Sequence, residues 1–527
     1  MRRLFFEIRD EAERLLKQDL PRFWQQAALA AILLVCAAAR FGPTQHPPLD
    51  RTVWKEIDHI EISKNYWHHG MHFLSPEITW PAETPRVTAM EFPLVPFLAA
   101  ALYEIFGLHP FTVRLIPFVA YLIMASYVFL LVRREAGPVL GLASALAAAL
   151  MPIHHQFGRI LFSEPVSIAM SVGAVYHFGK WVDTRRLRDG AFAGLCFTVA
   201  VALKLEPLFL MLPLAWLWYR KHGLRIREYG AFAGFVALVL ILPIAWYSYA
   251  FYLSRTSIDV FGVVPFMQGH DKLQTLTMIR NPRFFVAIGH RIWDLAWGFA
   301  GAPLLVAGFV VSLTIRSLRL FHVYLAAIGI YFLIVAEGQL DTSYRQLNSV
   351  PVLSVFFALA VLSLCGVVLS RWRSGDGYSP GALTICALLV IALVSVPSYV
   401  KLLVSNPYTP AHPLAWSLAQ EIRKNAGPGD RLVMLGEYDV HVGGNDLSPV
   451  TYYYSGLPGW TLQQRDLSIE RTQDLTRRGA TLLAVTREFG SVDLVHDAAM
   501  RSFVEKVRAR YKLLYEEDGQ LLFRLGS

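Results

Sequence analysis

The residues able to do chemistry gather in a few polar stretches of an otherwise apolar chain. Between Trp54 and Pro96 stand Asp58, Glu61, His68, His69 and Glu91. A helix over 54–69 places Asp58, Glu61, Asn65 and His68 or His69 along one face, and Val53, Ile57, Ile60 and Trp67 along another. A carboxylate held in a partly dry site can take a proton from an acceptor hydroxyl or amine. Asp58 is the candidate base, Glu91 the second acid, and Glu61, His68 and His69 the cavity lining. The competing reading is a solvated polar face on an interfacial helix. The same acids and imidazoles could ligate a divalent cation, but their spacing matches no standard site, and no metal is predicted.

Cations follow in three later loops. Arg159 lies in HHQFGRILFSEP, Lys204 in the turn Lys204-Leu205-Glu206-Pro207, and Arg345 after Tyr344 in EGQLDTSYRQ. Arginine makes forked contacts to phosphate, and charges at membrane depth are rarely idle. Plainer alternatives exist for the acid Glu164 and for two of the cations. Glu164, before Pro165, suits a helix N-terminus. Glu206 could simply neutralise Lys204, and Arg345 could snorkel to the interface. Positive groups of this kind can hold a leaving phosphate while an acid activates the nucleophile. No Gly-rich nucleotide cradle is visible.

The elements that must position these groups read as membrane helices. Hydrophobic residues make up 54% of the 527 and charged ones 17%, with a mean hydropathy of +0.40, which exceeds what a soluble domain needs. A net charge of +9 would suit nucleic acid, but much of the excess falls in short loops, where it sets membrane orientation. Residues 1–22 form an amphipathic start at the cytoplasmic surface. Spans are expected at 23–41, 112–132, 138–153, 165–182, 191–203, 205–219, 229–251, 292–315, 320–336, 347–369 and 380–400, about eleven in all. This assignment puts Arg133-Arg134, Arg185-Arg186-Arg188, Arg220-Lys221-Arg225-Arg227, Arg316-Arg319 and Arg371-Arg373 on one side, the cytoplasmic one by the positive-inside rule. The apolar run 93–107 then lies in the interface, and 191–219 forms a shallow hairpin turning at Lys204–Pro207.

The first span ends without a small-residue cleavage site and reads as a retained helix. Cys36, Cys196, Cys365 and Cys386 lie in apolar segments and read as buried thiols. No internal repeat is evident. The tail 401–527 alternates strand-like runs (431–435, 451–454, 481–485, 511–515, 521–525) with helix-like ones (412–424, 469–478, 498–508). The expected architecture is a polytopic α-helical membrane protein with a cytoplasmic N-terminus. It comprises a transmembrane domain over 1–400, including the external loop 42–111, and a small extracytoplasmic α/β domain over 401–527.

The order of these features resembles the GT-C superfamily of membrane glycosyltransferases, in particular the branch of protein O-mannosyltransferases and lipid A aminoarabinose transferases. The matching segments are Asp58; Glu91-Phe92-Pro93-Leu94; Ile105-Phe106-Gly107 with Val113-Arg114-Leu115; Gly158-Arg159 with Glu164; Lys204–Pro207; and Tyr344-Arg345-Gln346-Leu347 before Pro351. They cover about 1–370. Three departures stand out. His59 follows Asp58 where members often carry a second acid, Glu91-Phe92-Pro93 replaces a basic residue and a Pro-Pro pair, and Glu164 stands where Asp is common. The resemblance implies a polyprenyl-phosphate sugar donor, an extracytoplasmic glycan, lipid or protein acceptor, inversion at the sugar carbon with Asp58 as general base, and a bacterial inner-membrane location. A lipid-linked sugar transporter and an oligosaccharide ligase using a diphosphate carrier are the alternatives.

Overall fold

The computed structural model describes residues 2–41, 53–80, 86–259, 261, 263, 275–295, 298–372, 378–404, 413–435, 448–462, 466–486 and 497–526. Arg373 and parts of the 42–111 and 252–291 loops lie outside the described residues. The chain forms two compact units. One comprises Met1–Gln45, Arg114–Trp246 and Gly269–Ser405; the other His46–Val113, Tyr247–Gln268 and Asn406–Ser527. The long loop expected to belong with the membrane helices therefore groups with the tail.

The first unit is helical. Among the described residues five helical stretches are long and apolar enough to cross a bilayer: Pro110–Ala136, Ile226–Thr256, Arg316–Ile334, Ser343–Trp372 and Pro380–Ser398. The other expected spans also carry helix, in shorter or more polar pieces such as Arg22–Phe41, Pro138–Leu150, Ser163–Thr184 and Leu187–Leu203. Within and before the expected span 292–315 the described residues form the helices Pro282–Leu295 and Gly298–Ser312. Arg291, in the first of these, donates to the carbonyls of Gln339 and Leu340. Val350–Trp372 is the centre of the unit and packs on Pro138–Leu150 and Gly298–Ser312. The approach at Gly308 is so close that a Cβ there would stand 1.8 Å from the Phe356 carbonyl oxygen, so only glycine fits. The amphipathic helix Arg2–Leu15 buries Ala12 and Leu15 against Val350–Trp372, and Arg371 pairs with Glu7. The C-terminal half of its apolar face, at Ala12 and Leu15, is thus covered by protein. None of the four cysteines is in a disulfide; Cys36, Cys196 and Cys365 are buried as expected, and Cys386 is half-buried.

The second unit is built on a five-stranded sheet of order β2-β1-β3-β5-β4. The strands are β1 (Leu432–Leu435), β2 (Gly459–Leu462), β3 (Leu482–Val485), β4 (Lys512–Glu517) and β5 (Gln520–Arg524). β1 runs parallel to both β2 and β3, and β5 is antiparallel to β3 and β4. The continuous apolar runs LVML and LLAV are buried throughout, as central strands covered on both faces should be. β4 lies at the edge and carries Lys512, Glu516 and Glu517, charges that discourage further pairing. Asp518 and Gly519, both at positive φ, turn β4 into β5 as the Asp-Gly pair of a tight hairpin does.

The run 451–454 is not a strand. It lies inside the helix Ser448–Ser455, and the strand is the later Gly459–Leu462. Three consecutive tyrosines favour a strand by propensity. The flanks decide otherwise, with Pro449 in the first turn and Gly456, at φ 74, closing the helix. Tyr452 is buried, stacks on Trp80 with centroids 6.0 Å apart, and donates to the Trp460 carbonyl at 2.5 Å. The helices Val53–His69 and Leu94–Phe106 belong to the same unit and pack together, and Val53–His69 also packs on Ser448–Ser455. Leu94–Phe106 has 13 residues. At 1.5 Å per residue it is about 20 Å long, short of the ~30 Å hydrocarbon core.

Candidate functional site

The polar helix Val53–His69 is buried along most of its length. Lys55, Glu56, Asp58, His59, Glu61, Ser63 and Asn65 are each 8% exposed or less, so its acidic face is not a solvated one. Two of its close neighbours are Leu94–Phe106 and Ser448–Ser455. Burying several ionisable groups on one helix requires partners. Lys55 Nζ lies 3.7 Å from Glu91 Oε1, which ties the helix to the Glu91-Phe92-Pro93 segment. The His59 ring donates from Nδ1 to the Lys55 carbonyl at 2.8 Å and meets Phe261 edge to face. Asn65 donates to the Glu77 carbonyl at 2.8 Å, and Tyr66 to that of Phe73 at 2.9 Å.

Asp58 is 2% exposed. Glu61, one turn on, has its pKa pushed up to about 7. Burial drives the rise, against opposing hydrogen bonds from Thr79 and the charges of Lys64 and Arg86. It is a carboxyl poised to exchange a proton near neutrality. The Tyr453 hydroxyl is pushed upward by burial and then by the charges of Glu61 and Glu56. The Tyr103 hydroxyl is raised by burial, with Tyr453 and Glu56 adding to it and a Ser63 hydrogen bond opposing it. Glu56, Glu61, Ser63, Tyr103 and Tyr453 thus share one electrostatic neighbourhood. Sequence reasoning missed the contribution of Tyr453, which comes from the tail.

His68 and His69 stand apart from this set. Both are exposed at the end of the helix. His68 lies against Trp67 with ring centroids 4.5 Å apart, and His69 contacts Glu77 at 3.0 Å. Helical geometry explains the separation, because ten and eleven residues beyond Asp58 the helix has already left the packed region. Among the described residues no three His, Cys, Asp or Glu side chains converge as a metal site.

The first unit brings the other candidates together at breaks between helices. Glu164 is in the first turn of Ser163–Thr184, Lys204 caps Leu187–Leu203, Glu206 opens a 3-10 turn, and Arg345 lies in the 3-10 stretch Ser343–Ser349. Lys204 Nζ is 3.1 Å from Glu164 Oε1, and Arg345 Nη1 is 3.0 Å from Glu206 Oε1. All four side chains are 11% exposed or less, and Glu164 is also within electrostatic reach of Arg345. Glu206 therefore serves Arg345, not the nearby Lys204. The Arg345 guanidinium lies over the Tyr344 ring at 5.8 Å, and that ring is wedged against Phe157 and Phe162. Arg159, between these two phenylalanines in sequence, is buried too. The segment is anchored by Gln346, which donates to the Gln339 carbonyl at 2.9 Å.

Residues 88–247 match the family model of dolichyl-phosphate-mannose-protein mannosyltransferases. That span holds Glu91, Arg159, Glu164 and Lys204 and stops short of Asp58 and Arg345. No curated protein matches the chain by sequence. Among solved structures, ArnT from Cupriavidus metallidurans bound to undecaprenyl phosphate superposes with a TM-score of 0.64 at 13% identity, covering 96% of this chain and 99% of that one. The Archaeoglobus fulgidus oligosaccharyltransferase in its apo form superposes with a TM-score of 0.55 at 12% identity, covering 95% of this chain and 74% of the other. The helical unit with its buried ion pairs, the sheet-bearing unit with its buried acidic helix, and these likenesses together identify an integral membrane protein with the fold of the GT-C glycosyltransferases.

Proposed function

We propose that the protein is an inverting glycosyltransferase that moves a sugar from a polyprenyl-phosphate carrier to an acceptor outside the cytoplasm, with Asp58 as general base. The observation that carries this is the buried acidic helix, because an unpurposed run of carboxylates would be left in water. The fold likeness to ArnT, whose structure holds undecaprenyl phosphate, supports the donor class. In the reaction Asp58 accepts the proton of the acceptor hydroxyl or amine. The acceptor atom bonds to the sugar carbon from the side opposite the leaving group, the carbon–oxygen bond to phosphate breaks, and its electron pair stays on the phosphate. Arg159, Lys204 and Arg345 hold that phosphate and stabilise its growing charge. Lys55 orients Glu91, which assists at the acceptor, and Glu164 and Tyr344 shape the surroundings of the cations.

The test is transfer by purified protein from a synthetic polyprenyl-phosphate sugar. Asp58→Asn lowers the rate roughly 10²–10⁴-fold, the range for losing a positioned general base, while helical content is preserved. Undiminished transfer by the variant would remove Asp58 from the chemistry. A strict divalent-metal requirement would favour a diphosphate carrier instead.

A further inference from the structure

The first unit contains a charged cavity of about 390 Å³, lined by Trp216, Tyr219, Arg220, Gly223, Arg316 and Arg319. None of these residues belongs to the set proposed for glycosyl transfer. We propose that this cavity binds the phosphate headgroup of an anionic membrane lipid.

The walls are two packed helices, Met211–His222 and Arg319–Ile334, with Arg316 in the 3-10 turn leading into the second. Arg220 is fixed by Glu135, with Nη1 at 2.5 Å from Oε2 and Nη2 at 3.3 Å from Oε1. Glu135 also receives Arg134, so it cannot balance further charge. Arg316 and Arg319 are exposed, and among the described residues no carboxylate pairs with either. The cavity therefore presents two uncompensated guanidiniums, which suit the forked contacts a phosphate accepts. Trp216 adds an indole N–H that is shielded from solvent and has no acceptor among the described residues. A buried donor of that kind is satisfied by an oxygen supplied from outside.

Depth decides between a lipid and a soluble anion. The cavity opens where the membrane-crossing stretch Arg316–Ile334 begins, and Trp216 and Tyr219 lie side by side there with centroids 5.9 Å apart. Aromatic pairs at the ends of membrane helices mark the headgroup level, where basic pockets between helices take anionic lipids. The volume sits near the small end of the roughly 300–1,000 Å³ typical of ligand pockets, enough for a headgroup with its acyl chains remaining in the bilayer.

Native mass spectrometry of the full chain in detergent tests this with three probes: phosphatidylglycerol, phosphatidylcholine and inorganic phosphate. Phosphatidylglycerol is expected to bind preferentially. The double variant Arg316→Ala/Arg319→Ala lowers its affinity roughly 30-fold (about 2 kcal/mol), and each single variant about 5-fold, from about 1 kcal/mol per basic residue near an anionic surface. Both arginines are exposed, and the single variants keep the comparison open if the double variant does not fold. Equal affinity in the variants overturns the proposal. So does equal binding of phosphatidylcholine. Inorganic phosphate binding as tightly as the lipid overturns it too, in favour of a soluble anion.

Discussion

Glu61 offers a sharp physical test of the buried acidic helix. Its carboxyl is raised from 4.5 to about 7, chiefly by burial. Below pH 4.5 it is protonated in both the folded and unfolded states, and its ionisation has no effect on stability. Between 4.5 and 7 the unfolded chain releases the proton while the folded one keeps it, so stability falls as pH rises; above 7 the penalty is complete. A rise from 4.5 to about 7 corresponds to roughly 3 kcal/mol. Glu61→Gln removes the ionisation and keeps an oxygen that can accept from Thr79. The variant is therefore expected to match the parent at pH 4.5 and to exceed it by up to roughly 3 kcal/mol at pH 8. For a folding unit of roughly 200 residues that is a rise of about 6–12 °C in Tm. Thermal unfolding followed by tryptophan fluorescence at both pH values reads the difference. An increment independent of pH, or destabilisation at pH 8, would refute the claim that Glu61 is buried against its own charge.

Three further outcomes are expected. Arg345→Ala strands the buried Glu206 carboxylate and destabilises by about 3–5 kcal/mol; adding Glu206→Gln recovers part of that loss, measured as a double-mutant cycle in unfolding. Gly459→Ala prevents the β1–β2 pairing, because a Cβ would stand 1.8 Å from the Leu432 carbonyl oxygen. Limited proteolysis should find the tail opened in this variant. Tyr452→Phe removes the bond to the Trp460 carbonyl and leaves the ring stack, which lowers stability by about 1–3 kcal/mol through the stranded acceptor.

The helices of the first unit are legible in the sequence because apolar length is a strong signal, and the ends of most expected spans differ from the observed helices by a few residues. The acidic helix is legible for the same reason in reverse, since a polar stretch of helical spacing between apolar ones has few other readings. Its surroundings are not. The sequence separates Tyr453 from Glu61 by about three-quarters of the chain, and only folding brings the tail helix Ser448–Ser455 against Val53–His69. Pairing among charges is equally hidden. Glu206 stands two residues from Lys204, yet Lys204 caps its helix in extended backbone while Glu206 opens a 3-10 turn. They turn to different partners, Glu164 and Arg345. In the tail, local propensity misplaced a strand at 451–454, where Pro449 and Gly456 carried the better signal. A repeat too short to mark a repeated domain is also present: the pentapeptide GAFAG occurs at 190–194 and again at 230–234. Its small residues line a shared apolar groove of about 500 Å³ between the helices Leu187–Leu203 and Ile226–Thr256.

The two ion pairs of the first unit make a last prediction about how a donor phosphate would be held. Lys204 and Arg345 are each already neutralised by a buried carboxylate. A phosphate that engages them must compete with Glu164 and Glu206, so these acids act as internal competitors that hold the cations in place when the site is empty. Glu164→Gln removes one competitor. In the empty protein it takes the Glu164 carboxylate away from the buried Lys204, which lowers stability by up to about 3–5 kcal/mol. A bound phosphate restores a counter-charge, so part of that loss reappears as binding free energy. Undecaprenyl phosphate is expected to bind the variant about tenfold more tightly (about 1.4 kcal/mol), and to raise its Tm by more than it raises that of the parent. The sign carries the argument. If Glu164 instead contributes an acceptor to the ligand, the variant binds more weakly and gains less in Tm, and the ion pair is then part of the binding surface, not its resting lock.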